Sequence, residues 1–281
     1  MSKIKVNLVG AGRVGQTLLG LLKTLPGYAI QDVLSSRYTS AQDAVQFAGA
    51  GRAVATYTEL KPADLWILTV PDTQISAVAA EIAKVFKGRG VDEPPPVAFH
   101  CSGFFAADQM APLDDLGWRL ASVHPVLTFT DPATSVKRFK GTYCGVEGDG
   151  TALCLVEGLL KEIGGIAFHI KSDSKSLYHA AAVISNNFTV VLQAIAREAW
   201  AAAGVPDDIA KQLNITLLEA TCENVAAHGP LAALSGPAAR GDTFVVTQEG
   251  RDVTRWHPAA GVIYNELSLL AQKLKADGKT G

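Results

Sequence analysis

Six residues near the amino terminus, GAGRVG, form the GxGxxG pattern that binds the pyrophosphate of a dinucleotide. Gly10 permits a tight turn, Gly12 lets a pyrophosphate approach the backbone, and Gly15 lets the following helix pack closely on the preceding strand. The amino terminus of that helix supplies N–H donors and a positive dipole to the phosphates. The candidate cofactor-binding residues of this turn are Gly10, Gly12, Arg13, Val14 and Gly15. The alternative is a structural glycine turn that binds nothing.

The end of the second strand indicates which dinucleotide would bind. The chain reads Ser35-Ser36-Arg37 there, with no carboxylate. Hydroxyl groups and a guanidinium suit a ribose 2′-phosphate, and Arg13 could add a second charge. This pattern favours NADP. In the rival interpretation Asp32 binds the ribose of NAD, although it lies early, in the middle of the strand. Arg37 could also be an ordinary solvated loop cation.

Composition excludes several classes of protein. The 281 residues are 48% hydrophobic and 19% charged, which predicts about two folded domains with full cores. Lys plus Arg number 25 against 27 for Asp plus Glu, so the chain lacks the basic excess typical of nucleic-acid binding. The four cysteines form no CxxC pair, which indicates a reducing cytosol and neither a disulfide framework nor a zinc site. They are Cys101, Cys144, Cys154 and Cys222.

The amino terminus runs directly into a strand and has no signal-peptide pattern. Residues 176–196 carry no Asp, Glu, Lys or Arg, and their number would suit a membrane span. Because His179, Asn186, Asn187 and Gln193 interrupt this stretch, a buried helix of a soluble protein is the better interpretation. We therefore expect a soluble, cytoplasmic protein with no membrane partner.

The elements that must position these groups differ between the two halves of the chain. Up to about residue 171, near-continuous apolar strands alternate with amphipathic helices, which predicts a parallel sheet covered on both faces. The predicted strands lie at 4–10, 29–36, 64–71, 96–103, 119–125, 142–148 and 165–170.

Residues 172–281 show only helical periodicity. One long helix is expected to end at Gly204-Val205-Pro206, and the next to run from Asp207 to about His228-Gly229. Trp256 and four later aliphatic residues mark the last helix. We therefore predict an all-α second domain.

Several motifs resemble those of known NADP-binding reductases. The glycine turn, the Ser-Ser-Arg sequence, LTVPD (68–72) and FHCSG (99–103) are similar to the NADP-binding domain of pyrroline-5-carboxylate reductase, deazaflavin-dependent NADP oxidoreductases and β-hydroxyacid dehydrogenases. Three later motifs resemble a bacterial family of Rossmann-like proteins with a helical carboxyl-terminal domain of unknown function. They are ASVHPVLTF (121–129), YHAAAVISNN (178–187) and LSGPAARGD (234–242).

The resemblance implies a Rossmann-type, mostly parallel α/β domain at 1–171 and a helical substrate or dimerisation domain at 172–281. It also implies that Val70, Pro71 and Asp72, together with Ser102 and Gly103, frame the nicotinamide. Open α/β sheets bind ligands at the carboxyl ends of their strands, which agrees with this placement. Ser102 could bind cofactor and donate to a substrate carboxylate or carbonyl. Alternatively, it is a turn residue bonded to its own backbone.

The acid/base residue is harder to assign. The β-hydroxyacid dehydrogenases carry Lys-x-x-x-Asn on the first long helix of the second domain, whereas this chain has Ala182 and Val183 before Asn186 and Asn187. The lysine is therefore missing. His179 lies seven residues before Asn186, two helical turns away and hence on the same helix face, and could donate the proton that accompanies hydride transfer, with Asn186 orienting the substrate.

Two other residues are weighed against simpler roles. His124 is the second candidate proton donor, although a histidine before proline could only shape a turn. His179 itself could merely cap a helix or fill an interface. Asn187 and Arg240 are candidate substrate-binding residues, and Arg240 could instead pair with Asp242 in its loop. No histidine spacing indicates a metal site.

These observations favour an NADP-dependent oxidoreductase that moves hydride to or from a small carbonyl, imine or hydroxyl compound. A long Ala-rich helix and the resemblance suggest a homodimer formed through the helical domain. Because the family lysine is missing, the alternative is a non-catalytic NADP-binding sensor or assembly protein.

Overall fold

The computed structural model describes residues 2–88 and 94–281. The chain divides into two compact units, Met1–Val183 and Ile184–Gly281, which are described separately below. The helix that follows the last strand belongs to the first of these units. The expected domain division at residue 171 stays a prediction.

The first unit is built on one eight-stranded sheet with the order β3-β2-β1-β4-β5-β6-β7-β8. Every neighbouring pair is parallel except β6 and β7. The strands are β1 (Ile4–Val9), β2 (Tyr28–Leu34), β3 (Arg52–Val54), β4 (Leu65–Leu68), β5 (Val97–His100), β6 (Arg119–Pro125), β7 (Tyr143–Gly148) and β8 (Ile166–His169).

The helices of this unit connect the strands in the order expected for an α/β fold. They are α1 (Arg13–Leu22), α2 (Tyr38–Ala48), α3 (Ile75–Phe86), α4 (Ala111–Asp114), α5 (Pro132–Arg138), α6 (Gly150–Glu162) and α7 (Lys175–Ala182). Short 3-10 turns occur at Tyr57–Glu59, Asp72–Gln74, Ala107–Met110 and Ser172–Ser174.

Two apolar cores cover the two faces of the sheet. Strand side chains alternate between the faces, so Leu65 and Ile67 of β4 pack with α1, α2 and α6 on one side. Trp66 and Leu68 pack with α3 and α4 on the other side. All four β4 side chains are completely buried, which explains the near-continuous apolar pattern. The prediction of a mostly parallel, doubly covered sheet is confirmed.

The strand β7 runs antiparallel to β6, although its apolar pattern predicted a place in the parallel series. The pairing begins with Pro125 opposite Cys144 and ends with Ala121 opposite Gly148. The segment that contains α5 therefore begins and ends at the same edge of the sheet, where β6 ends and β7 begins. As a result, β7 runs in the opposite direction to β6. Apolar strand patterns do not record this choice, because a central strand is buried in either direction.

The second unit is helical, as predicted. Residues 184–281, all of which the structure describes, contain no strand. A π-helical segment (Val183–Phe188) leads into the second unit, whose helices are α8 (Thr189–Ala202), α9 (Asp207–Ala233), α10 (Pro237–Arg240), α11 (Thr243–Trp256) and α12 (Pro258–Asp277).

The helix boundaries confirm one expectation and correct another. Gly229 adopts φ 77° and ψ 166° inside α9, so regular helix is interrupted where the sequence predicts its end. Trp256 closes α11 and does not belong to the last helix. His257 separates the two helices and caps α12, because its side chain accepts a hydrogen bond from the Ala260 N–H.

The stretch at Ser172–Ala202 is long and apolar enough to cross a membrane, judged by length and composition alone. Its most apolar window has no buried residue, so the expectation of a buried helix is wrong for the single chain. A lone helix of this kind is weak evidence for a membrane span.

We predict that His100 makes the stability of the first unit depend on pH. His100 is completely buried at the end of β5, and burial lowers its pKa to about 4. The unfolded chain therefore takes up a proton below pH 6.5 that the folded chain refuses until about pH 4, so stability falls as the pH is lowered through this window. The loss by pH 4 is about 3 kcal/mol.

Urea unfolding between pH 7 and pH 4 measures this effect. The variant His100→Gln should show a shallower decline than wild type, whereas His228→Gln, at an exposed position in α9, should follow wild type. Equal slopes for the wild type and His100→Gln would contradict the prediction.

Candidate active site

A cleft of about 630 Å³ opens at the carboxyl ends of β1, β2 and β4. In an open parallel sheet this edge is where ligands bind, because the strand order reverses there. Of the predicted cofactor-binding residues, seven line the cleft. They are Gly10, Gly12, Ser35, Ser36, Arg37, Val70 and Pro71. Ala11 of the same glycine turn also lines it.

The three glycines of the turn have different surroundings. Gly10 has φ +106°, and a Cβ there would lie 2.6 Å from the carbonyl carbon of Thr69. A Cβ on Gly15 would lie 2.2 Å from the Gly10 oxygen. A Cβ on Gly12 would meet nothing within 4 Å. The fold itself therefore requires the first and third glycines, whereas the open space beside Gly12 is available to a ligand.

The amino terminus of α1 is suited to an anion. Its N-cap is Gly12, no side chain caps it among the described residues, and its first turn contains no acidic residue. The first N–H groups of a helix have no intrahelical partner, so they can donate to phosphate oxygens. Arg13 and Val14 occupy this first turn but are not among the residues lining the cleft.

The end of β2 presents polar groups to the same cleft. The hydroxyl of Ser35 accepts a hydrogen bond from the Ala11 N–H at 3.4 Å, which links the strand end to the glycine turn. Ser36 and Arg37 are exposed, and the Arg37 guanidinium forms no ion pair with any residue that the structure describes.

Asp32, the rival ribose ligand, is already occupied. Its buried carboxylate accepts hydrogen bonds from Arg52 Nε and from the Lys61 N–H, both at 2.8 Å. It does not line the cleft. Both carboxylate oxygens are thus used in holding β3 and the loop before β4.

Ser102 is buried in the loop after β5. Its hydroxyl donates to Asp72 Oδ2 at 2.7 Å and accepts from the N–H groups of Phe104 and Phe105 at 3.1 and 3.0 Å. These bonds use the hydroxyl proton and support the interpretation of Ser102 as a residue that shapes the turn. Ser102 does not line the cleft.

A buried lysine lies directly behind this loop. Lys175, at the start of α7, donates from Nζ to the Ser102 carbonyl at 3.0 Å and to the Ser122 hydroxyl. Its Nζ is 3.9 Å from Glu147, whose carboxylate also accepts from the Ala107 N–H and the Ser172 hydroxyl. Burial lowers the Lys175 pKa, and the charge of Glu147 opposes that shift.

The two candidate proton donors meet above Gly103. The ring centroids of His124 and His179 are 5.7 Å apart. A Cβ on Gly103 would lie 2.5 Å from His179 Cδ2 and 2.8 Å from His124 Nε2, so only glycine leaves room for both rings. Residues from the loop after β5, the end of β6 and α7 therefore form one cluster, as their separate positions in the sequence could not show.

The environment of His124 makes it a neutral group. Burial lowers its pKa to about 4, and the charges of His179 and Lys175 act in the same direction. Its Nδ1 lies 2.8 Å from the hydroxyl of Tyr178. Burial raises the pKa of Tyr178 to about 12.

The remaining predicted residues lie in the second unit. Asn186 and Asn187 are exposed in the π-helical segment, where a turn contains more residues than in an α-helix. The argument that Asn186 shares a face with His179 assumed a regular α-helix, and it does not hold. Arg240 forms no ion pair with Asp242 in the described structure, because Asp242 instead caps α11 through the Val245 N–H.

The sequence analysis did not identify Tyr178 and Lys175 as members of the site, whereas it placed Asp72 there, where the Ser102 hydroxyl donates to its carboxylate. Tyr178 is next to His179 in a motif that was already distinctive, which was the one available signal. Lys175 lies seven positions before Ala182, where the Lys-x-x-x-Asn pattern of the β-hydroxyacid dehydrogenases would place the lysine relative to Asn186. Its burial follows only from the way α7 packs behind the loop after β5.

Comparisons with known proteins agree with this architecture. A Rossmann-like domain model matches residues 1–125, and a model described as a domain of unknown function (DUF2520) matches residues 142–271. The first part of the chain is therefore similar to Rossmann-like domains and the later part to DUF2520 domains. This pair of domains is the one that the resemblance implied. A search of curated proteins finds no significant match.

Several solved structures are similar over nearly the whole chain. Protein TM1727 from Thermotoga maritima is 28% identical, with a TM-score of 0.75, and the alignment covers 97% of this chain and 99% of that one. Protein BF3122 from Bacteroides fragilis, provisionally named an NADP oxidoreductase, is 22% identical, with a TM-score of 0.74 and coverage of 96% and 98%. Pyrroline carboxylate reductase from Plasmodium falciparum, solved with NADP bound, is 13% identical, with a TM-score of 0.55 and coverage of 98% and 99%.

We predict that the glycines of the turn separate folding from binding. Gly12→Val should fold, at a cost of about 1 kcal/mol for a poor N-cap residue, and should lose affinity for a dinucleotide because its side chain fills the open space. Gly15→Ala should instead lose about 1–3 kcal/mol of stability through the contact with the Gly10 carbonyl.

Thermal unfolding and fluorescence titration with NADPH measure the two effects. Retained NADPH binding by a folded Gly12→Val protein would show that the turn is only structural.

Proposed function

We propose that this protein is an NADP-dependent oxidoreductase that transfers hydride between the dinucleotide and a small carbonyl, imine or hydroxyl compound. The observation that carries the proposal is the pair of histidines above Gly103, at the same sheet edge as a cleft whose glycine turn is open only at Gly12. The fold shared with BF3122 and with the Plasmodium reductase supports the same class of reaction.

The residues of the cleft fit the parts of such a dinucleotide. The uncapped N-terminus of α1 would hold the pyrophosphate, and Arg13 and Val14 belong to that turn. Ser36 and Arg37 offer hydroxyl and guanidinium donors for a 2′-phosphate. The engagement of Asp32 by Arg52 and Lys61 removes the carboxylate that NAD would need, which supports NADP over NAD.

The nicotinamide end of the site would lie beyond Val70 and Pro71, toward the loop after β5. The bound dinucleotide supplies or accepts a hydride. Ser102 keeps the loop in place by bonding to Asp72, so it acts here as a positioning residue. Its bonds leave the Gly103 backbone and the two imidazoles as the groups that can face a substrate.

Hydride addition to a carbonyl carbon leaves an alkoxide that must be protonated, and the reverse reaction must remove that proton. We assign this proton transfer to His179, because its imidazole lies beside Gly103 and an imidazole can act as a general acid or base. His124 is the less suitable acid, because burial lowers its pKa to about 4 and its imidazole is therefore not protonated at pH 7. Asn186, Asn187 and Arg240 are proposed to orient the substrate.

We also propose a cytoplasmic homodimer formed through the helical unit. Large apolar side chains of that unit are exposed in the single chain, which a partner copy would cover. They include Ile184, Phe188, Val190, Val191, Val262 and Leu269. Light scattering on the purified protein measures the mass of the assembly.

Turnover tests the function directly. Titration with NADPH should show binding, and a screen of small carbonyl and imine compounds should find one that oxidises bound NADPH faster than buffer does. Binding without turnover by any compound, together with a partner protein bound only in one redox state of the cofactor, would favour the sensor alternative.

We predict that Arg37 accounts for the preference for NADPH. Losing one charge-assisted contact costs about 1.5–3 kcal/mol, so Arg37→Ala should weaken NADPH binding about 10–150-fold and leave NADH binding nearly unchanged. The control is Arg119→Ala, at the amino end of β6 and away from the cleft. Equal NADPH and NADH affinities in the wild type would remove the basis for this assignment.

We predict that His179→Ala lowers turnover about 100–10,000-fold, the range for one general acid. NADPH affinity should stay nearly unchanged, and one limb of the pH–rate profile should disappear. The comparison variant is His124→Ala. Normal turnover in His179→Ala with loss in His124→Ala would reverse the two roles, and normal turnover in both would rule out proton transfer by either histidine.

A further inference from the structure

The outward nitrogen of His124 is free to bind a ligand. Its Nδ1 is engaged by Tyr178 at 2.8 Å, whereas Nε2 has no hydrogen-bond partner among the described residues. Every buried side-chain nitrogen or oxygen among residues 2–88 and 94–281 has a hydrogen-bond partner. Because Nε2 has none, it must be open to solvent, beside Gly103.

Either Tyr178 or His124 could donate across their contact, and the surroundings of the phenol favour Tyr178 as the donor. The Tyr178 hydroxyl has a single described partner, His124 Nδ1. A partly buried phenol donates its proton to the acceptor it has, since an unpaired donor is costly. Nδ1 then accepts with its lone pair, and in a neutral imidazole the hydrogen must reside on Nε2.

The surroundings of Tyr178 hold the hydroxyl in this position. Its ring packs edge-on against His124 and Phe168, with centroids 5.5 and 6.0 Å apart. A Cβ on Gly145 would lie 2.8 Å from the hydroxyl oxygen, so this glycine makes room for it. Gly145 is also the residue opposite His124 in the β6–β7 pair.

We propose that Tyr178 is a positioning residue that fixes His124 as an Nε2–H donor, and that this donor selects a substrate with a carbonyl or alcohol oxygen. The inference rests on the proposed function and narrows its substrate class. An N–H donor stabilises an oxygen that gains negative charge during hydride addition. A protonated imine presents an N–H of its own, which a donor at the same place would repel.

The chemistry then divides between the two histidines. When a carbonyl is reduced, its carbon gains the hydride, the dinucleotide is oxidised, and the oxygen receives a proton from His179. His124 keeps its proton and contributes only the hydrogen bond. A neutral imidazole suits that task, and the low pKa of His124, caused mainly by burial, keeps it neutral.

The tautomer can be measured on the full-length protein without a substrate. Long-range proton–nitrogen correlation spectra of ¹⁵N-labelled protein at pH 7.5 distinguish Nδ1–H from Nε2–H imidazole, and the His124 signal is the one that His124→Gln removes. We expect pure Nε2–H in the wild type and a mixture of tautomers in Tyr178→Phe. Tyr143→Phe, at a tyrosine that is 60% exposed and packs edge-on against Phe168, should leave the signal unchanged.

An Nδ1–H or charged His124 in the wild type would overturn the inference, and so would an unchanged signal in Tyr178→Phe. If Tyr178→Phe does not fold, Gly145→Ala displaces the same hydroxyl and should produce the same mixture. Among compounds found by the NADPH screen, a ketone or aldehyde should be reduced at least tenfold faster than the matched cyclic imine, and Tyr178→Phe should lower kcat more than it changes KM. Preference for the imine would also overturn the inference.

These outcomes are separable from the proposed function. Failure of the function would appear as absent NADPH binding or absent turnover while His124 still carries its hydrogen on Nε2. Failure of the inference would appear as the other tautomer, or as a preference for imines, in a protein that still turns over NADPH.

Discussion

Four segments that are distant in sequence meet on one buried ammonium group. Lys175 binds the Ser102 carbonyl and the Ser122 hydroxyl and lies near Glu147, so it joins the loop after β5 to β6, β7 and α7. Removing a charge from water costs several kcal/mol unless partners replace its hydration. The arrangement is therefore stable only when all four segments are in place together. The site depends on it, because Gly103 follows Ser102 and His179 lies one helical turn after Lys175.

The cleft at the carboxyl ends of β1, β2 and β4 depends on a different constraint, which is the space available beside each glycine of the turn. Gly10 and Gly15 have backbone atoms where a Cβ would lie, whereas Gly12 faces open space. A motif of three glycines therefore combines two structural requirements with one binding requirement. The distinction matters because the pattern in the sequence treats the three positions alike, whereas only the open one argues for a ligand.

The two halves of the site also use opposite electrostatic environments. The glycine turn and the end of β2 expose N–H groups and a guanidinium to solvent, which suits phosphate oxygens. The histidine cluster is partly buried, and burial keeps His124 neutral beside the ammonium of Lys175. Groups suited to phosphate and a neutral hydrogen-bonding imidazole thus lie at the carboxyl ends of strands in one sheet, as the topology of an open α/β sheet allows.

The sequence alone determined most of the elements and their class: buried strands other than the short β3, amphipathic helices, the glycine turn and an all-helical second half. Each follows from local periodicity or from a residue type that a turn requires. It could not determine the reversed direction of β7, because a buried strand has the same apolar pattern in either direction. Nor could it show that His124, Tyr178 and His179 converge on Gly103, or that Asp32 is taken up by Arg52. Those contacts join residues far apart in the chain, and only the packed sheet and α7 bring them together.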